Sequence, residues 1–195
     1  MGIGYLLYKL FHTTSLEKYI QRKNIKTLDI QDEMKNMKTG DLLFFSGLST
    51  IDDVIKRYTS SYISHVGMII LENNVLYLFE ADNGQGYKRG VRVIPLKEKL
   101  ERYKGEKFYI LRKIDVEISK DEILNEIKRY IDMDLNVDNF LTKSNTEGGK
   151  TTYCSQLIID VLRDMKIYKN DVKNTSVTPK DLLHIDGYED SVYLK

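Results

Sequence analysis

Few residues in this chain could carry chemistry, so their spacing is informative. The single cysteine, Cys154, lies in Tyr153-Cys-Ser-Gln-Leu-Ile-Ile-Asp-Val-Leu-Arg-Asp-Met165, where Leu157, Ile158, Val161, Leu162 and Met165 recur at helical spacing. That stripe predicts a helix beginning at the cysteine. The free backbone N–H groups and the positive end of the helix dipole at such a start stabilise a thiolate. A lone cysteine is more often a small buried hydrophobe. Its place at a helix start sets a nucleophilic reading beside the packing one.

A thiol nucleophile needs a base, and the base needs an orienting group. The chain has three histidines, His12, His65 and His184. His12 and His184 read as surface or packing residues near the two ends, whereas His65 heads the strand-like run Val66-Gly-Met-Ile-Ile-Leu71. If Asn73-Asn74 is a two-residue hairpin turn, Glu72 pairs with Val75. In that register His65 falls opposite Asp82 and Gly67 opposite Glu80, so His65, Glu80 and Asp82 share one face. Diagonal neighbours on a sheet are about 7 to 8 Å apart, within reach of a long carboxylate. A one-residue slip would turn both carboxylates away. Spacing alone does not choose between Glu80 and Asp82. The same three residues could also ligate a metal, but no other histidine has ligand spacing and one cysteine cannot build a thiolate cluster, so no metal or cofactor is expected.

The elements that must position these groups follow from periodicity. Asp41 to Ser46 is a short apolar run; Ser49 to Thr59 reads as a helix through Ile51, Val54, Ile55 and Tyr58; and His65–Leu71, Val75–Ala81, Val91–Leu96 and Lys107–Lys113 read as strands. Lys97 to Lys104 is expected to form a helical turn or two. After Lys113 the period becomes helical: Ser119 with Glu122 forms a capping-box signature ahead of Ile123, Leu124, Ile127, Tyr130 and Ile131. A polar loop over Thr142 to Lys150 precedes the cysteine helix, and Thr178-Pro179 opens a last short one. Before the strands, Ile3, Leu6, Leu7, Leu10, Leu16 and Ile20 predict one or two amphipathic helices, followed by a charged connector from Gln21 to Lys38. Residues 1–38 thus read as a helical extension and 39–195 as the main domain.

Composition bounds the partners. The 195 residues are 42% hydrophobic and 30% charged, and 30 Lys+Arg face 29 Asp+Glu in an interleaved pattern. A net charge of +1 offers no field for nucleic acid. One cysteine excludes an internal disulfide framework and points to a reducing, cytoplasmic milieu. No run approaches the roughly 18 apolar residues that span a bilayer. Residues 1–20 remain a candidate peripheral membrane contact, with sparse positive charge to support it. Gly2 lacks the Ser or Thr that a myristoylation signal carries at the sixth position, where Leu6 stands. No feature sets an oligomeric state.

The segments Thr39-Gly-Asp-Leu-Leu-Phe44, Ser64-His-Val-Gly67, Phe79-Glu-Ala81 and Tyr153-Cys-Ser-Gln-Leu-Ile158, in that order, resemble the permuted branch of the NlpC and papain-like superfamily. That branch includes bacterial YiiX-like proteins, lecithin:retinol acyltransferase relatives and a poxvirus virulence-protein family, to which Lys88-Arg-Gly-Val-Arg-Val-Ile-Pro-Leu96 is especially similar. The resemblance runs from about Gly40 to Thr178-Pro-Lys-Asp-Leu182. It implies an α+β, circularly permuted papain-like (NlpC-type) fold, with an antiparallel sheet packed against the helix bearing the cysteine. It also implies Cys154 as nucleophile, His65 as general base and Glu80, ahead of Asp82, as the third member. Tyr153 and Asp82 are candidates for contacts to the substrate or its oxyanion, although a Tyr beside a helix start is more often a packing residue. The expected activity is hydrolysis of an amide or ester in a peptide, isopeptide or lipid acyl substrate. Acyl transfer and a catalytically silent ligand- or host-protein-binding role are the alternatives. A viral source would place the protein in host cytoplasm, and a bacterial source is the other expectation.

Overall fold

Consecutive apolar residues such as Leu42-Leu-Phe-Phe45 and Val66-Gly-Met-Ile-Ile70 leave no polar face to turn to water, so strands made from them need cover on both sides. In the computed structural model, which describes residues 15–83, 88–131, 133–135, 151–168 and 177–195, both sides are covered. The elements run α1 (Leu16–Lys23), α2 (Ile30–Glu33), a 3-10 turn (Met34–Asn36), β1 (Leu42–Phe45), α3 (Thr50–Thr59), β2 (His65–Glu72), β3 (Val75–Asp82) and β4 (Gly90–Pro95). They continue with α4 (Leu96–Arg102), β5 (Tyr109–Arg112), α5 (Lys120–Tyr130), β6 (Asp134–Leu135), β7 (Thr151–Thr152), α6 (Cys154–Asp164), α7 (Pro179–Leu182) and β8 (Val192–Leu194).

Six strands form one antiparallel sheet in the order β4-β3-β2-β1-β5-β8. Leu42, Phe44, Val66, Met68, Ile70 and Phe79 point to one side and pack on Leu157, Ile158, Val161 and Leu162 of α6. Leu43, Phe45, Ile69, Leu78 and Ile94 point to the other and pack on Leu96, Leu100 and Tyr103 of α4 and its end. The fold is therefore α+β, with the antiparallel sheet against the helix that begins at Cys154.

The β2–β3 hairpin has the expected register: Glu72 pairs with Val75, and the ladder runs on to Met68 and Phe79. Asn73 and Asn74 both adopt positive φ, 50° and 61°. That is the turn whose twist suits a two-residue hairpin, and Asn tolerates it better than most residues. The α7 start is capped by Thr178, with Asp181 returning the bond and Pro179 in the first turn.

The elements absent from or unlike the sequence reading include the two-residue β6 and β7, which pair in parallel, and α2, α3 and β8. β8 pairs with β5, and Leu28 bridges to Leu194. Within the connector, Asp29 caps the four-residue α2, and Ile30 and Met37 are buried in the α4-side layer. α3 forms as expected but presents Ile51, Val54 and Tyr58 to solvent, while Asp52 and Lys56 face inward. The inward pair is stable because it is satisfied: Lys56 Nζ donates to the Gly47 carbonyl at 2.7 Å, and Asp52 accepts from Ser49 and Ser64. α1 buries Leu16 and Ile20 against the α6 layer. The remaining candidates of the N-terminal stretch, Ile3 to Leu10 and His12, and the loop Thr142–Lys150 lie outside the described residues. Among the described residues no helix is long and apolar enough to cross a membrane.

Candidate active site

His65 is the first residue of β2, so its imidazole stands at the end of the sheet. Its strand places it on the α4 side with Phe45, whose ring centroid lies 5.6 Å away. The backbone beneath is tied to β1 by Ser64 N–H donating to the Phe45 carbonyl. On the same side, β3 presents Glu80 and Asp82, both buried. His65 Nε2 donates to Glu80 Oε2 at 2.7 Å. Glu80, the residue that spacing could not separate from Asp82, is thus the one that holds the imidazole. Cys154 lies near enough to His65 to act on its charge.

Two cations that the sequence reading missed complete the cluster. Arg92, paired with Glu80 across β3 and β4, donates through Nε and Nη2 to Glu80 Oε1 at 3.0 and 2.7 Å and through Nη2 to Asp82 Oδ2 at 2.9 Å. Lys99 Nζ, from α4, lies 2.8 Å from Glu80 Oε2 and 2.6 Å from Asp82 Oδ2. Arg92 sits in the segment that carried the resemblance, and its register opposite Glu80 was the available signal. For Lys99 the signal was its place on the buried stripe Leu96, Leu100 and Tyr103, where a lysine needs an internal partner.

The electrostatics follow from these contacts. Burial penalises the Glu80 carboxylate, but the His65 hydrogen bond and the Lys99 and Arg92 charges outweigh it and hold its pKa well below the usual carboxylate range. Asp82 is also lowered: its burial is outweighed chiefly by His65 and Lys99. Burial opposes the His65 charge too, yet the influence of nearby Cys154 and the bond and charge of Glu80 raise its pKa to about 10. The imidazolium is the resting form that this site favours at neutral pH.

Cys154 is the first residue of α6 and is mostly buried. Among the described α-helices, α6 is the one with no acidic residue in its first turn, and its N-cap, Tyr153, makes no side-chain cap bond. The dipole is therefore not offset by a nearby carboxylate of the same helix, and no N-cap side chain takes the first-turn N–H groups. Tyr153 is buried in the α6 layer, with its hydroxyl donating to Gln156 Oε1 at 3.2 Å. His184 is exposed at the end of α7, away from the cluster.

His65, Glu80 and Asp82 offer ligand atoms within 4.8 Å of one another. They do not fit a metal ion: Glu80 Oε1 and Oε2 and Asp82 Oδ2 already bond to Lys99 and Arg92, and another cation would enter a site whose two carboxylates are matched by two cations.

The model of the permuted papain-like amidase enzymes, the YaeF/YiiX or C92 family, matches residues 36–184. Among solved structures, the chain is similar to that of the metalloprotein yiiX from Escherichia coli O157:H7, with 22% identity, a TM-score of 0.59, and coverage of 80% of this chain and 96% of the other. No curated protein matches. The poxvirus, virulence and acyltransferase parts of the expected resemblance gain no support from these comparisons.

Proposed function

The chain belongs to the permuted papain-like amidase family, and on that premise we propose that it is a cysteine hydrolase of amide bonds, with Cys154 as nucleophile, His65 as base and acid, and Glu80 as the group that orients His65. The observation that carries the reading is His65 bonded to Glu80 at 2.7 Å, with Cys154 at the start of α6 near enough to raise the His65 pKa.

In the first step the Cys154 thiolate attacks the acyl carbon. A C–S bond forms and the carbonyl π electrons move to oxygen, where first-turn N–H groups of α6 receive the charge. Collapse breaks the C–N bond, and the proton on His65 goes to the leaving nitrogen. His65, now neutral, takes a proton from water as it adds to the thioester, and loss of the thiolate releases the carboxylic acid. Glu80 stays ionised throughout, fixing the ring so that one nitrogen faces Cys154. Esters of peptide or lipid acyl groups would follow the same path with an alcohol leaving.

The similar E. coli protein is a metalloprotein, whereas in this chain Lys99 and Arg92 occupy the carboxylates that a metal ion would need.

The test uses the single cysteine as its reporter. With p-nitrophenyl acetate, a burst approaching one equivalent of nitrophenolate and an acetyl adduct on Cys154 are expected. Iodoacetamide should alkylate Cys154 at pH 7 at least about tenfold faster than a free thiol, and His65→Ala should remove that excess. Alkylation no faster than a free thiol, unchanged by His65→Ala, would sink the reading.

A further inference from the structure

Lys99 is a lysine with almost no exposed surface, 3% of its side chain, in a site built around its ammonium. Two carboxylates bond it, and the Phe45 and Tyr103 rings lie 5.5 and 5.7 Å from Nζ. An aliphatic residue here would pack in the Leu96–Leu100–Tyr103 stripe, so the charge is what the position specifies.

Among the described residues, β3 supplies Glu80 and Asp82, β4 Arg92 and α4 Lys99 to this point, and β2 adds His65, near which α6 sets Cys154. Tyr103 closes the α4 end with a buried hydroxyl that has no hydrogen-bond partner among the described residues, near the charges of Asp52, Asp82 and Glu106, and Tyr109 packs against it from β5. Lys99 and Arg92 together cancel Glu80 and Asp82. Charge then closes inside the site when the imidazolium of His65 faces a thiolate.

Without Lys99 the balance changes. Two carboxylates would be matched by Arg92 and the imidazolium, and the site would be neutral with Cys154 as a thiol. We propose that Lys99 is a positioning residue acting as a built-in counter-cation: by occupying Glu80 and Asp82 it leaves the Cys154 thiolate as the partner of His65, and so sets the pH range over which the nucleophile is charged.

The inference rests on the Cys154–His65 reading, and the experiment separates the two. Iodoacetamide alkylation of Cys154 in the full chain is followed from pH 4 to 10 in the unsubstituted protein, Lys99→Met, Asp82→Asn and the double variant. The half-plateau pH should rise by about one unit in Lys99→Met, a tenfold slower reaction below the midpoint, and fall by a similar amount in Asp82→Asn. In the double variant, which loses one charge of each sign, it should return close to the original. If Lys99→Met does not fold, the comparison of Asp82→Asn with the double variant reads the same upward shift. Coincident midpoints in the folded variants, with only melting temperature changed, would overturn the proposal and leave Lys99 a structural cation. A midpoint in the unsubstituted protein like that of a free thiol, unmoved by His65→Ala, would instead fail the active-site reading itself.

Discussion

Glu80 has no exposed surface and accepts hydrogen bonds from His65, Arg92 and Lys99, so each of its oxygens has a defined partner. Its worth differs between folding and function. Glu80→Gln keeps the shape but leaves two buried cations facing one carboxylate, and removing one member of a buried charge set costs about 3 kcal/mol. It also replaces an anion beside His65 with a dipole whose amide end can turn toward the ring. The expected outcome is loss of stability in denaturant unfolding together with alkylation of Cys154 at pH 7 about tenfold or more slower. Retained reactivity in a folded Glu80→Gln protein would remove Glu80 from the mechanism. The pairing of His65 with a β3 carboxylate was legible because Asn73-Asn74 sets a register and strand parity does the rest. The choice of Glu80 over Asp82 came from resemblance, and it is Glu80 that bonds His65 at 2.7 Å. Lys99 and Arg92 were missed although each left a signal, the apolar stripe around Lys99 and the register of Arg92 opposite Glu80, because neither signal names a partner until the two carboxylates are placed.

At the scale of elements, the corner between β1 and α3 bears most directly on His65. Gly47 N–H donates to Ser64 Oγ at 3.0 Å, Ser64 Oγ donates to Asp52 Oδ1 at 2.7 Å, and Asp52 with Ser49 forms the α3 capping box. Ser64 precedes His65, so this network fixes the strand where the imidazole begins. A Cβ on Gly47 would overlap the Asp52 carboxylate, which is held from both sides and has little room to yield. Gly47→Ala is therefore expected to cost about 1 to 3 kcal/mol, with faster amide exchange in α3 and slower alkylation of Cys154. A variant with unchanged exchange and unchanged alkylation would show that the corner does not govern His65. The same corner shows why sequence patterning identified α3 but not its orientation. An apolar stripe at Ile51, Val54 and Tyr58 normally faces a core, yet the inward side is Asp52 and Lys56, satisfied by a hydroxyl and a carbonyl elsewhere in the chain. β1 to β5 were legible because each is an apolar run bounded by turn residues. β8 was not, since three residues carry no period and its partner lies far away in sequence.

The molecule as a whole has a net charge of +1, so long-range fields contribute little and its pH response is governed by the few ionisable groups inside. Glu80 and Asp82 have pKa values lowered on folding. Lowered carboxylates stabilise the fold when ionised; the contribution is complete above the ordinary value of 4.5 for Glu80 and is lost as pH falls below it. His65 is raised from 6.5 to about 10 and stabilises the fold when protonated. Its contribution is complete below pH 6.5 and disappears as pH rises through 10. The two slopes have opposite sign, so stability from this cluster is greatest between pH 4.5 and 6.5 and falls on either side. Urea unfolding midpoints across pH 3 to 10 are expected to trace that profile. Glu80→Gln should flatten the acid arm, because the neutral amide binds no proton in either state. Cys154→Ser should weaken the alkaline arm, because His65 then loses one of the two partners that hold its proton. A stability that stays level from pH 7 to 10, in a protein whose Cys154 remains reduced, would mean that the imidazolium is not the form the folded site prefers.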